Sequence, residues 1–180
     1  MANNTRNTHT TYKHKNIKVA LWNANSVYGK MGEIEHFMKI HEVDIFAISE
    51  KKLAPHVDFN IRNFTVHRQD RNRRGGGVAI IIKNSLAHIR LPQTNSAIEH
   101  VTLKLWNGIV VSSCYSPPSY SILDSDLDSL MDLAPRVLLL GDFNARHTTW
   151  KNPINNKNGE TLFDYVTTNA IQILCTDTPT

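Results

Sequence analysis

The chain has 180 residues, of which 41% are hydrophobic and 20% are charged, and its formal net charge is +4 at pH 7. This composition is typical of one globular domain with a substantial core, and the positive charge permits an anionic partner without requiring one. Its two cysteines, Cys114 and Cys175, are too few and too far apart for a disulfide framework or a zinc motif, and no apolar run is long enough to span a bilayer.

The N-terminal segment is polar. Residues 1–16 carry almost no apolar side chain, which predicts a disordered polar leader before a folded domain over 17–180. This segment does not have the apolar centre of a secretory signal. Together with the low cysteine content, it favours a reducing intracellular compartment.

The first part of the domain has the pattern of a βαβ unit. An apolar run predicts a strand over 17–22, apolar residues at helical spacing predict a helix over 30–41, and a second apolar run predicts a strand over 43–48. Strands joined through a helix in this way are expected to be parallel neighbours. Asn23 and Glu50 follow these strands, so we expect them at the edge of the sheet where open α/β folds bind ligands.

The middle of the chain contains short strands without helices between them, which predicts antiparallel pairing. The predicted strands span 64–68, 77–83, 86–91, 98–105 and 109–115. Beyond them, the pattern predicts helices over 121–133 and 159–169 and strands over 137–140 and 171–174. These elements predict an α/β sandwich of two sheets packed back to back, with helices outside and strand ends at one rim.

Arginines are concentrated beside three consecutive glycines, at Arg68, Arg71, Arg73 and Arg74. This clustering suggests a phosphate-facing side of the molecule, with an ordinary solvated loop as the alternative. The glycines at 75–77 do not have the spacing of a phosphate-binding fingerprint, so we expect them to permit a tight turn or a close approach of the backbone.

Polar side chains follow the apolar run that ends at Gly141. Along an extended chain, Asp142 and Asn144 point the same way while Phe143 points into the protein. A short acid and an amide in this position suit a hard cation, a water or a phosphate oxygen. The alternative, at equal weight, is a turn in which Gly141 breaks the strand and the two polar side chains cap the backbone.

Five residues end predicted strands, and most of them carry carboxylates or amides: Asn23, Glu50, Tyr115, Asp142 and Asn144. Glu50 is a candidate magnesium ligand, since this ion often takes only one or two carboxylates and completes its shell with water and phosphate oxygens. Asp142 is suited to hold and deprotonate an attacking water, and Asn23 and Asn144 to hydrogen-bond phosphate oxygens or to orient metal-bound water. This set predicts metal-assisted phosphodiester hydrolysis. Tyr115 by itself reads as an ordinary aromatic residue at a strand end.

Five segments in this order resemble the endonuclease domain of non-LTR (LINE-type, jockey-like) retrotransposons, a branch of the endonuclease/exonuclease/phosphatase superfamily. The matching segments are 21–26, 48–53, 71–80, 115–118 and 141–147. The resemblance implies a DNase I-like, four-layered α/β sandwich that nicks double-stranded DNA with magnesium or manganese during retrotransposition. It also implies a reverse transcriptase domain downstream, no membrane association, and action in the nucleus.

The resemblance assigns a role to each of the strand-end residues. Glu50 matches the metal-binding glutamate, and Asn23 matches the asparagine near the metal. Tyr115 matches the aromatic residue that contacts the scissile phosphate. Asp142 and Asn144 match the pair that aligns the nucleophilic water and stabilises the transition state. The DNA contacts would come mainly from Arg71, Arg73 and Arg74, with Arg146 and Lys151 as further candidates.

One part of the family pattern has no counterpart in this sequence. The family continues with an aspartate on a later strand and a closing Ser-Asp-His motif, whereas this chain ends at Thr180. We therefore expect a domain without its last strands and with impaired cleavage. His147 does not occupy the missing position, and we expect it to be a loop histidine packed near Trp150. The alternatives are a non-catalytic nucleic-acid-binding remnant and a phosphatase of the same superfamily.

Overall fold

The computed structural model describes residues 16–71 and 75–175. Eight strands and three helices follow one another in these ranges, and a short 3-10 helix, Thr148–Trp150, lies before the last helix. In chain order they are β1 (Val19–Asn23), α1 (Met31–Ile40), β2 (Ile45–Ser49), β3 (Phe64–Gln69), β4 (Val78–Lys83), β5 (His88–Arg90), β6 (Glu99–Leu105), β7 (Val110–Tyr115), α2 (Asp124–Met131), β8 (Val137–Asp142) and α3 (Lys157–Thr168).

The strands form two mixed sheets of four, in the orders β1-β2-β4-β3 and β5-β6-β7-β8. The pairs β1–β2 and β7–β8 are parallel, as expected where a helix connects two neighbouring strands, and the other pairs are antiparallel. Asn23 pairs with Ser49 at the end of the first parallel pair, and Tyr115 with Asp142 at the end of the second. The carboxyl ends of four strands therefore meet at one rim.

Three apolar clusters hold four layers together. On one outer face, Ile34 and Met38 of α1 pack against the first sheet. The clusters between the sheets and under α2 and α3 contain mainly aliphatic side chains that are almost fully buried, among them Ile80, Leu103 and Leu127. Each such side chain contributes roughly 1.5–3 kcal/mol when it leaves water. The predicted fold class, an α/β sandwich of two mixed sheets flanked by helices, is confirmed.

Strand β8 differs from the expected buried strand. Its residues are only half-buried, because β8 is an edge strand within the described part of the chain. Gly141 does not end the strand, since β8 continues to Asp142 and Gly141 pairs with Cys114. A Cβ atom at Gly141 would lie 1.9 Å from the Cys114 carbonyl oxygen. A close backbone approach, rather than a strand break, explains the glycine.

The strand predicted over 171–174 is wrong. This segment is irregular, and no described strand pairs with it. Ile171 packs against the cluster under α3, but Leu174 is 78% exposed. An apolar run becomes a strand only when a neighbouring strand satisfies its backbone groups. The predicted leader over 1–16, apart from Asn16, lies outside the described residues. Within the described residues, no helix is long and apolar enough to cross a membrane.

Candidate functional site

The side-chain amide of Asn23 links the ends of three strands. Its Nδ2 group donates to Glu50 Oε1 at 3.1 Å and to Asp142 Oδ2 at 2.7 Å. Its Oδ1 atom accepts from the backbone N–H of Asn25 at 3.3 Å. Two carboxylates from different sheets are thereby held around one amide. We refer to Asn23, Glu50, Tyr115, Asp142 and Asn144 as the five-residue rim.

Glu50 is ionised and held by several donors. Burial by itself would raise the pKa of this carboxyl, but hydrogen bonds from Lys52, Asn23 and Tyr115 outweigh it and hold the pKa below its ordinary value. The Lys52 ammonium lies 2.8 Å from Glu50 Oε2. Sequence reasoning did not single out Lys52; the only signal was a lysine two residues after the strand-end acid. A carboxylate that stays charged at neutral pH is suited to bind a cation.

Tyr115 lies inside the rim as a neutral phenol. Its side chain is almost fully buried. Burial raises the pKa of the Tyr115 phenol, and the negative charges of Glu50, Asp142 and Glu99 raise it further. The phenol therefore keeps its proton and acts as a hydrogen-bond donor toward Glu50. The hydroxyl of Tyr115 thus contacts a strand-end acid, whereas the sequence alone favoured an ordinary aromatic residue at a strand end.

Asp142 and Asn144 form a turn and belong to the rim at the same time. The backbone N–H of Asn144 donates to Asp142 Oδ1 at 2.8 Å, which is the turn predicted as the alternative to a site. The Asn144 side chain then donates from Nδ2 to the Ser116 carbonyl oxygen at 2.8 Å. Phe143 packs against the cluster under α3, as expected. The two interpretations of this segment are compatible because the turn positions the functional groups.

The backbone is strained at this end of the sandwich. Glu50, Lys52 and Asn144 have φ angles of +51°, +47° and +47°, a left-handed region that residues with a Cβ rarely adopt. The loop after β1 contributes two more such residues, Asn25 at +42° and Ser26 at +94°. Strained conformations persist only where surrounding contacts hold them, and they concentrate at functional sites. Their clustering here supports a functional rim.

Only part of the predicted arginine cluster lies within the described residues. Arg73 and Arg74 lie outside the described residues. Arg71 forms an ion pair with Glu99, with Nε and Oε1 2.8 Å apart. Arg68 does not face a phosphate site: its guanidinium binds Asp70 and three backbone carbonyl oxygens of the preceding loop. Of Arg71, Arg73 and Arg74, Arg71 is therefore the one within the described residues, and its charge acts on the Tyr115 phenol of the rim.

The glycine segment approaches the loop that carries Glu50. Gly76 and Gly77 are left-handed, with φ angles of +69° and +79°. Their carbonyl oxygens accept from the N–H groups of Lys52 and Lys51 at 3.1 and 3.0 Å. The expected close backbone approach is confirmed, and its partner is the loop after β2.

His147 is a packing residue, as expected. Its ring stacks on Phe163 with centroids 4.2 Å apart and lies 5.4 Å from the ring of Trp150. Its Nδ1 atom accepts from the backbone N–H of Thr149 at 3.2 Å. Within 16–71 and 75–175, no hydrogen bond of the five-residue rim involves a histidine.

The carboxylate oxygens of the rim are of the kind that binds a hard divalent cation. Glu50 and Asp142 provide carboxylate oxygens, whereas Asn23, predicted as a further metal ligand, presents its NH2 group to them and its Oδ1 atom to the Asn25 N–H. In the described ranges, no group of three or more His, Cys, Asp or Glu side chains forms a complete metal cage. Magnesium does not require such a cage, since it keeps several waters and takes substrate phosphate oxygens. The residues therefore suit an ion that is shared with substrate.

Comparison with known protein sequences links the chain to mobile elements. A family model described as endonuclease-reverse transcriptase matches residues 109–180. Over 174 residues, or 91% of this chain, it is 30% identical to a probable RNA-directed DNA polymerase from transposon X-element of Drosophila melanogaster. It is also 30% identical, over 172 residues, to the RNA-directed DNA polymerase from mobile element jockey of the same organism. The chain covers 19% of each of these two relatives, about a fifth of their length.

Comparison with solved structures shows the fold. The endonuclease domain of TRAS1, a telomere-specific non-LTR retrotransposon, aligns with a TM-score of 0.74 at 20% identity, over 91% of this chain and 76% of that domain. An AP endonuclease from Archaeoglobus fulgidus aligns with a TM-score of 0.60 at 16% identity, over 86% of this chain and 71% of the enzyme. Both likenesses agree with the arrangement of two sheets and flanking helices described above.

Proposed function

We propose that this chain, which belongs to the endonuclease domains of jockey-like non-LTR retrotransposons, nicks double-stranded DNA by metal-dependent phosphodiester hydrolysis. The observation that carries the proposal is the bridge from Asn23 to the two carboxylates, Glu50 and Asp142. It brings a cation ligand and a water-binding acid from separate sheets to one place. A bound divalent cation, magnesium or manganese, would neutralise charge on the phosphate and lower the pKa of a water.

The remaining chemistry falls to the side chains of the rim. Asp142 holds the attacking water and takes its proton as the water oxygen bonds to phosphorus and one phosphorus–oxygen ester bond breaks. Asn144 uses one amide hydrogen for the Ser116 carbonyl, and its second is available for a phosphate oxygen. The neutral Tyr115 phenol has a single O–H group, which would turn from Glu50 to the phosphate as negative charge develops there.

The leaving oxygen takes its proton from solvent in this scheme, because no histidine within the described residues hydrogen-bonds to the rim. A positioned general acid–base group typically contributes about 10²–10⁴-fold in rate. We therefore propose slow cleavage by these 180 residues.

Plasmid nicking tests the proposal directly. Purified chain is incubated with supercoiled plasmid and Mg²⁺, with EDTA as the metal-free arm. We expect slow, EDTA-sensitive nicking that Glu50→Gln and Asp142→Asn each reduce by at least about 10²-fold. Glu160→Gln, which neutralises an exposed acid in the first turn of α3, is the matched control and should leave the rate unchanged.

Two outcomes would contradict the proposal. Metal-independent DNA binding without any Mg²⁺-dependent nicking would indicate a nucleic-acid-binding remnant. Faster release of phosphate from a 3′-phosphorylated oligonucleotide than nicking of the plasmid would indicate a phosphatase. By extension from the relatives, we also propose that a reverse transcriptase domain follows in the full-length protein and that the protein acts on DNA in the nucleus.

A further inference from the structure

Lys51, the residue after Glu50, is directed into the protein instead of toward the rim. Its side chain is 0% exposed. Its ammonium forms an ion pair with Asp70 and lies 3.4 Å from the Leu53 carbonyl oxygen. A buried ammonium is costly unless charged and polar partners surround it, so this lysine is fixed in place. The ammonium of Lys51 binds Asp70 and the Leu53 carbonyl oxygen, and the mechanism above leaves it unused.

Asp70 extends this contact to a larger network. Its second carboxylate oxygen accepts from Nε of Arg68 at 3.0 Å. The guanidinium of Arg68 in turn donates to three carbonyl oxygens of the loop after β2, at 2.7–3.0 Å: those of Val57, Ala54 and Pro55. The end of β3 is therefore tied to the loop that begins at Glu50.

The glycine segment leaves space for the lysine side chain. A Cβ atom at Gly77 would lie 3.1 Å from Lys51 Nζ and 3.3 Å from its Cε. The N–H of Lys51 also donates to the Gly77 carbonyl oxygen at 3.0 Å. On the other side, the carbonyl oxygens of Glu50 and Lys51 accept from Ser26 and Val27 at 2.8 and 3.0 Å. Both the backbone and the side chain of Lys51 are thus fixed directly beside Glu50.

We propose that the Lys51–Asp70 pair is a positioning device that holds Glu50 in its left-handed conformation, φ +51°, and so orients its carboxylate for the divalent cation. This inference rests on the proposed metal-dependent function. The physical reason is that a strained backbone relaxes unless neighbouring contacts hold it. Without the buried pair, the residue next to Glu50 loses the side-chain contact that fixes it, and the Glu50 carboxylate samples orientations that do not face Asn23 and Asp142.

The decisive variant is Lys51→Met, which keeps the apolar stem and removes the ammonium. Mn²⁺ affinity, followed by the EPR signal of free Mn²⁺, gives a readout that does not depend on activity. We expect the Mn²⁺ dissociation constant to rise by about 10-fold or more, the usual effect of losing a residue that orients a metal ligand. The Mg²⁺ concentration for half-maximal nicking should rise in parallel, while the rate at saturating Mg²⁺ changes little.

Lys83→Met is the matched control. Lys83 forms an ion pair with the buried Asp44, with Nζ and Oδ1 3.5 Å apart, at the end of the first sheet away from the rim. This variant should lower the melting temperature without changing Mn²⁺ affinity. If Lys51→Met also lowers only the melting temperature, the pair is merely structural and the inference is wrong.

A second variant covers the case in which Lys51→Met does not fold because Asp70 loses one of its two cationic partners and keeps only Arg68. Lys51→Met/Asp70→Asn removes both charges of the buried pair together, while Arg68 keeps the carbonyl oxygens of Val57, Ala54 and Pro55 as acceptors. The folded double variant should still bind Mn²⁺ about 10-fold more weakly, because the side chain of residue 51 is no longer held beside Glu50. Wild-type Mn²⁺ affinity in this variant would overturn the inference alone, whereas no Mn²⁺ binding and no nicking by the wild-type chain would overturn the proposed function as well.

Discussion

The amide of Asn23 lies between two acids that would otherwise repel each other. It donates to Glu50 and to Asp142, while Lys52 places a positive charge beside Glu50. Burial disfavours the ionised form of a carboxyl. Here, donors and a neighbouring cation keep Glu50 ionised. Under the proposed function, Asn23 and Lys52 would therefore help to keep the Glu50 carboxylate charged without binding the cation themselves.

Gly141 places Asp142 at the rim by allowing β8 to lie close to β7. Gly141→Ala would bring a Cβ atom to 1.9 Å from the Cys114 carbonyl oxygen. We expect a loss of at least the roughly 1–3 kcal/mol that is typical of overpacking, measured by urea denaturation. Gly32→Ala is the control, because a Cβ atom there meets nothing within 4 Å and should be neutral or stabilising by less than about 1 kcal/mol. If both variants had the same midpoint of urea denaturation, β8 would be able to shift away from β7 and accommodate the added Cβ atom.

At the scale of the elements, a histidine pair joins the edges of the two sheets. His67 of β3 and His88 of β5 place their Nε2 atoms 2.9 Å apart. His88 Nδ1 lies 2.6 Å from the Leu86 carbonyl oxygen, and a carbonyl only accepts, so Nδ1 carries the proton. His88 Nε2 is then an acceptor for the N–H of His67. The single hydrogen between the two Nε2 atoms therefore belongs to His67, and there is no room for a second hydrogen between them.

This pair predicts loss of stability in mild acid. Burial lowers the pKa of His67, and the charges of His88 and Arg90 lower it further, so the folded state binds fewer protons than the unfolded chain. The stability contribution is complete above the unfolded pKa of 6.5 and is lost as the pH falls from there to the lowered folded value. His67→Gln should flatten the melting temperature between pH 7 and pH 5, relative to wild type. His36→Gln, on the exposed face of α1, should keep the wild-type slope.

For the whole molecule, the distribution of charge matters more than the net value of +4. The rim is rich in acid, whereas Arg71 and the exposed Arg146 lie on segments that lead to or from it. A DNA backbone binds to basic side chains mainly through its phosphates, without reading sequence. We expect DNA to lie across the rim, with the arginines beside the acids.

Charge removal at Arg71, Arg73 and Arg74, each changed to Gln, should weaken duplex binding. The slope of log K against log salt should also become shallower, by up to about 0.9 for each lost phosphate contact. Fluorescence anisotropy with a labelled duplex at several salt concentrations measures both quantities. The control changes three cations at the opposite end of the sandwich to Gln: Lys39, Lys104 and Arg136. An equal effect of both triple variants would mean that the arginine segment is not the DNA contact.

Most helices and strands were predictable because their apolar periodicity can be recognised within a single continuous segment of the sequence. The predicted helix over 30–41 contains α1, and the predicted strand over 109–115 contains β7. The strand predicted over 171–174 failed because a strand requires a partner, and the identity of a partner is not a local property. Likewise, the half-buried state of β8 depends on its edge position and not on its apolar sequence.

The sequence by itself predicted the sandwich and the meeting of the five rim residues, because strand ends in α/β folds meet at one edge and the rim residues end strands. Only the tertiary structure decided how these residues contact one another. It placed the Asn23 amide between two acids, paired Arg71 with Glu99, and buried Lys51 against Asp70. Such contacts join residues far apart in the chain, and their geometry follows from how sheets and loops pack rather than from any local pattern.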